Sequence, residues 1–433
     1  MSDSSGSSRG SLRRVITVRH AVAIYVSSVL GAGILVIPGL AAREAGAGSL
    51  IAWLLLSLAS YPFAYTFSRL SARNPESGGI YAFSKEAFGH RIGTMTSWLF
   101  VAWVALGAPA ITLAAGSYLA YAFPMSGPQV FAVAAGIVVL AYAINFWGIR
   151  LSGRVQVAVV AAIVAILTVA VVASSPGIRA ANFSPLLPSG VASIGVASAL
   201  IVWSYLGYEN VSNIAEEFEN PKRDFGRSVT ISVVLVSVLY LAVAITVVGT
   251  GTYQAGGGVT PFAVLMANAF GTYGADMVSV LAVVIIFSTV NAYTAGMARV
   301  VYAAALDGNL PRALAKVDPR SGVPRRALVA LFVLIMAGLV AYYTLKVDVE
   351  TAFLATSGAA ILTYVVGSGA GVRLLRGGGR GAALPWASLV VALAILPFIG
   401  RPLVVSLGIA AGGVAYGTFV ERRGRDRRDS PHS

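Results

Sequence analysis

Long apolar blocks separated by short polar stretches dominate the pattern along this chain. Many blocks reach the roughly 20 residues that a helix needs to cross a hydrocarbon layer of about 30 Å. Backbone groups in lipid must bond within their own segment, and the blocks are too long and too weakly alternating for barrel strands. The pattern therefore predicts twelve transmembrane helices, with one re-entrant hairpin as the alternative for the last two. The predicted spans are residues 17–43, 48–70, 92–123, 128–148, 155–174, 191–215, 228–250, 275–305, 327–345, 351–372, 383–399 and 402–419.

The composition supports the same class. Of 433 residues, 57% are hydrophobic and 11% are charged, whereas about 25% of the residues of soluble domains are charged. A soluble core of this length cannot hide so much apolar surface. The chain has no cysteine, which excludes disulfides and thiolate metal sites. We therefore predict an all-α integral membrane protein.

The basic residues fall on one side of the predicted topology. With both ends cytoplasmic, 27 of the 31 lysines and arginines lie in inner segments, and Arg43, Arg179, Lys346 and Arg401 lie outside. The positive-inside rule therefore predicts a multi-pass protein of the plasma membrane with both termini in the cytoplasm. The net charge of +14 is spread along one membrane face, so nucleic acid is not an expected partner.

The order of the spans predicts an internal repeat. Loop 174–190 carries Pro176, Pro185 and Pro188, which suit a structured outer loop between two sets of five spans of opposite topology. Five-plus-five inverted repeats recur in secondary transporters, which hold the substrate where broken helices of the two halves meet at the midplane. The predicted units are a disordered tail at 1–14, repeat one at 15–175, repeat two at 190–376, a helix pair at 382–420 and a tail at 421–433.

This architecture predicts a break near the centre of span one. The centre reads Gly31-Ala32-Gly33-Ile34, and Pro38 follows. Each glycine weakens a helix by about 1 kcal/mol relative to alanine, and an interior proline by about 3 kcal/mol. An unwound stretch exposes N–H groups and the positive end of the following half-helix, which suit a carboxylate. The alternative is that the small residues let a neighbouring helix pack closely.

Span six carries a weaker break signal and a deep carboxylate. Its centre lies near Trp203, Gly207 follows, and Glu209 lies six residues past the centre, about 9 Å along a helix axis. A carboxylate at this depth costs a few kcal/mol unless it is protonated, paired or hydrated. We interpret Glu209 as a coupling or gating residue. The alternative is a structural partner for a basic residue such as Arg299.

Four separated segments resemble motifs of the amino acid–polyamine–organocation (APC) family of permeases. Residues 31–38 are similar to its first-helix glycine motif, and residues 76–83 to a stretch that leads into its third helix. Residues 207–224 resemble its helix-six signature, and residues 307–311 the end of its eighth helix. The resemblance is clearest over residues 15–320. Within the family it is nearest the bacterial exporters of methionine and of neutral or branched-chain amino acids.

The resemblance implies a five-plus-five inverted-repeat fold with helices one and six broken, and a substrate site between them. Backbone N–H groups around Gly33 would hold the substrate carboxylate, and backbone carbonyls around Ser204 would hold its ammonium. Trp203 and Tyr293 fall where family members place aromatic gates, with ordinary packing as the alternative for both. The implied substrate-binding residues are Gly31, Ala32, Gly33, Ile34, Ala108, Trp203, Ser204, Leu206 and Tyr293.

One departure from the family points to the substrate. Arginine-exchanging members carry a helix-three asparagine that reaches the substrate side chain, and here Ala108 stands at that position. The centre of span three, residues 104–110, has no polar side chain to bind a guanidinium or ammonium. A hydrophobic pocket discriminates by only about 1–3 kcal/mol per methylene. We therefore predict transport of a small or medium neutral, aliphatic amino acid, with no cofactor.

Three energy sources are compatible with the sequence. Proton coupling through Glu209 is the preferred hypothesis, although the lysine that some proton-coupled members carry in helix five is absent from residues 155–173. Sodium coupling is the second, because Ser288 and Thr289 lie at the centre of span eight, where family folds can hold a sodium ion. Membrane Ser and Thr more often bond their own helix. Obligatory amino-acid exchange, as by an antiporter, is the third.

Other classes of protein fit the sequence less well. An enzyme would need a catalytic or metal cluster at membrane depth, yet His20, His90 and His432 lie at helix ends or in a tail. A channel would need a polar pore lining, whereas most span centres consist of valine, alanine and leucine. The expected partners are an amino-acid substrate and the lipid bilayer, and the expected assembly is a monomer or homodimer.

Overall fold

A computed structural model describes residues 18, 22, 25–26, 29–73, 79–148, 153–207, 221–319, 321–375 and 382–429. These residues form α-helices and short 3₁₀ turns, and no strand occurs among them. In chain order the α-helices are α1 (Ile37–Ala45), α2 (Ser49–Arg73), α3 (Gly79–Phe88), α4 (His90–Ala122), α5 (Gly127–Phe146), α6 (Gly153–Ser174), α7 (Ala192–Ile201), α8 (Pro221–Thr250), α9 (Pro261–Leu306), α10 (Arg325–Thr344), α11 (Val349–Leu374), α12 (Ala383–Ile395) and α13 (Leu403–Asp429).

Nine helical stretches in the described part of the chain are long and apolar enough to cross a membrane. Their lengths run from 20 to 46 residues and their mean hydropathies from 1.5 to 2.8. One of them, Ile37–Ser71, takes in both α1 and most of α2, and another is α9, which bends at Gly271 (φ 69°). Two shorter apolar helices are Ala192–Tyr205 and Ala383–Ile399. The chain is therefore a multi-pass membrane protein.

Helix α4 is the central element of the bundle. It packs against α9, α11 and α13, and also against α5 and α10. Small residues cover much of its buried surface, among them Gly107, Ala108, Ala110, Ala114 and Ala115. Because small side chains let helix backbones approach closely, α4 contacts neighbours on several sides at once.

Span one is broken at the predicted place. Gly31 is extended (φ −90°, ψ 179°), a 3₁₀ turn follows at Ala32–Leu35, and α1 begins at Ile37. Pro38 has no backbone N–H, so it cannot bond the carbonyl of residue 34 as an ordinary helical residue would. The Leu35 carbonyl, one residue on, accepts a hydrogen bond from the hydroxyl of Tyr118 at 2.6 Å. Side-chain donors therefore replace bonds that the broken helix lacks.

The described α-helix of span six ends at the centre of the predicted span. Helix α7 stops at Ile201 and continues as a 3₁₀ turn over Val202–Tyr205. Leu206 is extended (ψ 141°), and Gly207 has φ 129°, a conformation that strains residues with a side chain. Glu209 and the rest of the predicted span, residues 208–215, lie outside the described residues. The described part of span six thus departs from helical geometry near Trp203.

The predicted structured loop before span six contains two 3₁₀ turns, Ser175–Gly177 and Ala180–Phe183. The Arg179 N–H donates to the carbonyl of Gly249 at 2.9 Å, and the Asn182 side-chain amide donates to the same carbonyl at 2.6 Å. Both bonds attach the loop to the end of α8. They leave the Gly249 carbonyl doubly satisfied at a helix end, where carbonyls otherwise lack partners.

Helix α11, which follows the short α10–α11 connection, has a defined start. The Asp348 carboxylate accepts hydrogen bonds from the Thr351 N–H at 2.9 Å and the Thr351 hydroxyl at 2.7 Å. Partial burial acts to raise the pKa of Asp348, but these bonds outweigh it and hold the pKa below its usual value. The cap fixes the beginning of the helix that carries Phe353 and Thr356 into the protein centre.

Candidate functional site

A cavity lies where the broken parts of spans one and six meet α4, α9 and α10. Its volume is about 660 Å³ when the part open to solvent is included. The lining residues are Val29, Gly31, Ala32, Gly33, Trp103, Val104, Gly107, Ala108, Ile111, Trp203, Ser204, Leu206, Thr289, Val290, Tyr293, Thr294 and Ile335.

Most of the predicted site residues line this one cavity, although their roles remain predictions. Those that line it are Gly31, Ala32, Gly33, Ala108, Trp203, Ser204, Leu206, Thr289 and Tyr293. Ile34 is fully buried beside the break but does not line the cavity, and neither does Ser288. Glu209 lies outside the described residues. The structure thus brings together residues that are far apart in the chain.

One wall offers backbone N–H groups. The 3₁₀ turn Ala32–Leu35 begins directly after the extended Gly31, and the first N–H groups of a helical turn have no acceptor within that turn. Further along, the Val36 N–H bonds the Gly33 carbonyl at 3.0 Å. Free N–H groups at the start of a helix attract anions. The Ala32–Gly33 backbone is therefore suited to a carboxylate.

Tyr240 joins the two broken segments behind the cavity. Its hydroxyl lies 3.0 Å from the carbonyl oxygen of Val29, at the break in span one, and 3.0 Å from that of Ser204, in span six. The ring is fully buried and packs edge-on against Trp53 and Tyr205. A single buried hydroxyl thus fixes the distance between the two broken segments that form the site.

The side chains of the cavity are apolar or carry hydroxyls, and none of its described lining residues is charged. The Thr289 hydroxyl donates to the Ile285 carbonyl at 3.0 Å, and the Thr294 hydroxyl to that of Val290 at 2.8 Å. The Ser204 hydroxyl oxygen is buried and has no hydrogen-bond partner among the described residues. Since a charged side chain is costly to bury without a partner, the lining favours a ligand with an uncharged side chain.

The bonds of Thr289 bear on the sodium hypothesis. Its hydroxyl makes the bond within its own helix that was the alternative interpretation for this residue. It still lies beside the break, because a Cβ on Gly31 would be 3.9 Å from its Cγ2 atom. The described residues contain no cluster of three His, Cys, Asp or Glu that could hold a metal. A sodium site here would consist of hydroxyl and carbonyl oxygens.

Sequence reasoning missed several lining residues, including Val29, Trp103, Ile111, Thr294 and Ile335. A signal for two of them was present. Trp103 and Ile111 stand four residues before and four after Gly107, and such residues share a helix face. Ile335 had no comparable signal, because only the packing of α10 against α4 brings it to the site.

Comparison with known proteins agrees with this geometry. A family model described as amino acid permease matches residues 16–411. The chain is 30% identical over 405 residues to YecA of Bacillus subtilis strain 168, an uncharacterized amino acid permease, covering 94% of this chain and 96% of the relative. It is 27% identical over 404 residues to YjeH of Escherichia coli strain K12, an L-methionine/branched-chain amino acid exporter, covering 93% and 95%.

A third relative is BcaP of Bacillus subtilis strain 168, a branched-chain amino acid permease. It is 24% identical over 333 residues, which cover 72% of each chain. The family inferred from the four sequence motifs is thereby confirmed, and the relatives are transporters rather than enzymes. The chain belongs to the amino acid permease family and is a membrane transporter.

Proposed function

We propose that this permease is a secondary active transporter of small or medium neutral, aliphatic amino acids and that it works by alternating access across the plasma membrane. The cavity between the broken spans carries the proposal. It joins an N–H-rich backbone wall at Ala32 and Gly33 to apolar side chains, with no charge among its described lining residues. A zwitterion with an apolar side chain complements such a lining.

The proposed orientation of the substrate follows from this chemistry. The carboxylate lies at the N–H groups of Ala32 and Gly33, and the ammonium at the carbonyls around Ser204. The side chain then extends toward Val104 and Ala108 on α4, which offer no polar partner. The names of two relatives, a methionine and branched-chain exporter and a branched-chain permease, support the same substrate class.

We further propose twelve spans in a five-plus-five inverted repeat, with both termini in the cytoplasm. The support is the bias of basic residues together with the eleven apolar helical stretches of the described chain. Three ion pairs, Arg73–Glu86, Arg91–Glu421 and Arg325–Asp318, lie at ends of helices that this topology places inside. The break in span one and the end of α7 supply the broken helices that such a fold requires.

The first experiment tests the substrate class. We expect leucine, isoleucine, valine, methionine or alanine to raise the melting temperature of the purified protein, because a ligand at 100 times its Kd stabilises by about 2.7 kcal/mol. The same amino acids should be taken up by proteoliposomes and compete with one another. Arginine and lysine, whose side chains carry a positive charge, serve as controls. Stabilisation by these two alone would contradict the apolar-pocket argument.

The proposed energy source is a proton gradient acting through Glu209, with sodium coupling at Ser288 and Thr289 or amino-acid exchange as alternatives. We expect Glu209→Gln to abolish the response of uptake to an imposed proton gradient while leaving exchange of labelled for unlabelled substrate, because an amide cannot carry the proton. Glu86→Gln, which alters a partly exposed ion pair, is the matched control. Undiminished proton-driven uptake by Glu209→Gln would refute the assignment and turn attention to sodium.

A further inference from the structure

The indole of Trp203 sits in a slot between two glycines of different helices. On one side, a Cβ added to Gly33 would lie 2.4 Å from Cδ1 and 2.6 Å from Nε1 of the indole. On the other side, a Cβ added to Gly107 would lie 2.3 Å from Cη2 and 2.6 Å from Cζ3. The five-membered edge of the ring thus faces the break in span one, and the six-membered edge faces α4.

Helix α11 closes a further side of the slot. The ring of Phe353 meets the indole edge-to-face, with centroids 5.1 Å apart and an angle of 81° between the planes. The Cγ2 atom of Thr356 would be 3.0 Å from a Cβ on Gly107. Phe353 and Thr356 are both fully buried. The indole therefore has close neighbours at both of its edges and against Phe353.

The indole of Trp203 also borders the proposed substrate cavity. Trp203 and both glycines line it, together with Val104 and Ala108. If a methyl group were added at Gly107, the indole could not retreat toward Gly33, because its opposite edge already touches that backbone. Protein interiors are close-packed, so the ring must move into whatever space is free. That space is the cavity.

We propose that Gly107 is a specificity-determining residue. By lacking a side chain it lets the indole of Trp203 dock against α4, and the docked indole leaves room for a branched or extended aliphatic substrate. This inference rests on the proposed function, because it concerns the same cavity and the size of the amino acid that fills it. A side chain at position 107 narrows the site toward the smallest amino acids.

The test compares Gly107→Ala with Gly107→Ala in a Trp203→Phe background. We expect Gly107→Ala to weaken leucine binding at least about tenfold more than alanine binding, since pocket contacts discriminate by about tenfold or more per methylene. Phenylalanine lacks the second ring that meets α4. In the Trp203→Phe background the methyl group added at position 107 should therefore change the leucine-to-alanine affinity ratio less. In that background we expect Gly107→Ala to change the leucine-to-alanine affinity ratio less than about twofold.

Melting temperatures without ligand provide a readout that does not depend on transport. We expect Gly107→Ala to lower the melting temperature by several degrees with Trp203 present and by much less with phenylalanine at that position. Gly296→Ala is the matched control, because it lies in the α9 helix and an added Cβ there meets nothing within 4 Å. Gly296→Ala also gives the same gain in helix propensity as Gly107→Ala, so that gain does not distinguish the two variants.

The outcomes separate the two hypotheses. If the wild-type protein binds no amino acid, the proposed function fails, while the melting temperatures still test the slot. If it binds leucine and alanine but Gly107→Ala leaves their affinity ratio unchanged, the specificity role of Gly107 is wrong. Equal losses of stability in the tryptophan and phenylalanine backgrounds would show that the indole does not occupy the slot, which also overturns the inference.

Discussion

Replacing Gly39 by alanine is expected to reduce transport at least about tenfold and to open the cavity on the side where α1 ends. An added Cβ at Gly39 would lie 2.1 Å from the carbonyl oxygen of Gly258 and 2.9 Å from Cγ of Pro261. A Cβ on Gly258 would in turn lie 2.8 Å from the Gly39 carbonyl oxygen. The two backbones are in direct contact, so neither position has room for a side chain.

We expect this contact to close one end of the proposed transport path. The turn Thr252–Gly258 packs against α1, which is the half of span one that follows the break. Forcing extra atoms into a packed interface costs about 1–3 kcal/mol, and every 1.4 kcal/mol shifts an equilibrium tenfold. In alternating access the closed arrangement must form in every cycle. A variant that cannot form it should populate the state open on that side.

The natural absence of cysteine makes this prediction simple to measure. A single cysteine at Val104, which lines the cavity and is nearly inaccessible in this structure, reports on opening. We expect a membrane-impermeant thiol reagent, added on the side of the Thr252–Gly258 turn, to label Val104→Cys faster when Gly39→Ala is also present. Gly136→Ala is the control, since a Cβ there meets nothing within 4 Å. Unchanged labelling and transport in the Gly39→Ala variant would refute the closure model.

Much of the fold could be predicted because the membrane restricts the possibilities. Backbone groups in lipid must bond within a helix, so the apolar block length located several helices to within a few residues, as for 351–372 against Val349–Leu374. The predicted span 275–305 is part of a longer helix, Pro261–Leu306, which bends at Gly271. The break in span one was equally visible, because Gly31, Gly33 and Pro38 all disfavour a helix. These are local properties of the chain, and a single sequence contains them.

Long-range contacts could not be predicted in the same way. Nothing in the sequence indicates that Gly107 faces Trp203, or that Gly39 touches Gly258, because such pairs depend on how distant helices dock. The role that the family resemblance implies for Ile34, a backbone N–H donor to the substrate carboxylate, stays a prediction. In this structure Gly31, Ala32 and Gly33 line the cavity, while Ile34 is buried beside them.

Tyr240 is a second residue of this long-range kind, and its hydroxyl is expected to matter more than that of its neighbour Tyr205. The Tyr240 hydroxyl serves two buried carbonyl oxygens, those of Val29 and Ser204, each at 3.0 Å. The Tyr205 hydroxyl lies 2.6 Å from the Ser57 hydroxyl and does not reach either of these carbonyls. A serine that loses such a partner can bond a carbonyl of its own helix. The Val29 carbonyl also accepts a hydrogen bond from the Gly31 N–H at 2.7 Å, so the loss of the Tyr240 hydroxyl bears mainly on the Ser204 carbonyl.

We therefore expect Tyr240→Phe to lower both stability and substrate affinity. A buried polar group that loses its partner costs about 1–3 kcal/mol, and the Ser204 carbonyl that loses the Tyr240 hydroxyl borders the proposed ammonium position. Tyr205→Phe is the matched control, because it removes one hydroxyl from the same aromatic cluster and leaves both broken segments held.

The measurements are melting temperature and leucine affinity for both variants. A purely structural tyrosine would lower the melting temperature without changing the affinity of the folded protein. A positioning role predicts instead that Tyr240→Phe weakens leucine binding at least about fivefold while Tyr205→Phe changes it little, since loss of one net hydrogen bond of about 1 kcal/mol corresponds to roughly that factor. Equal affinities in the two variants would mean that the bridge between the broken segments does not shape the site.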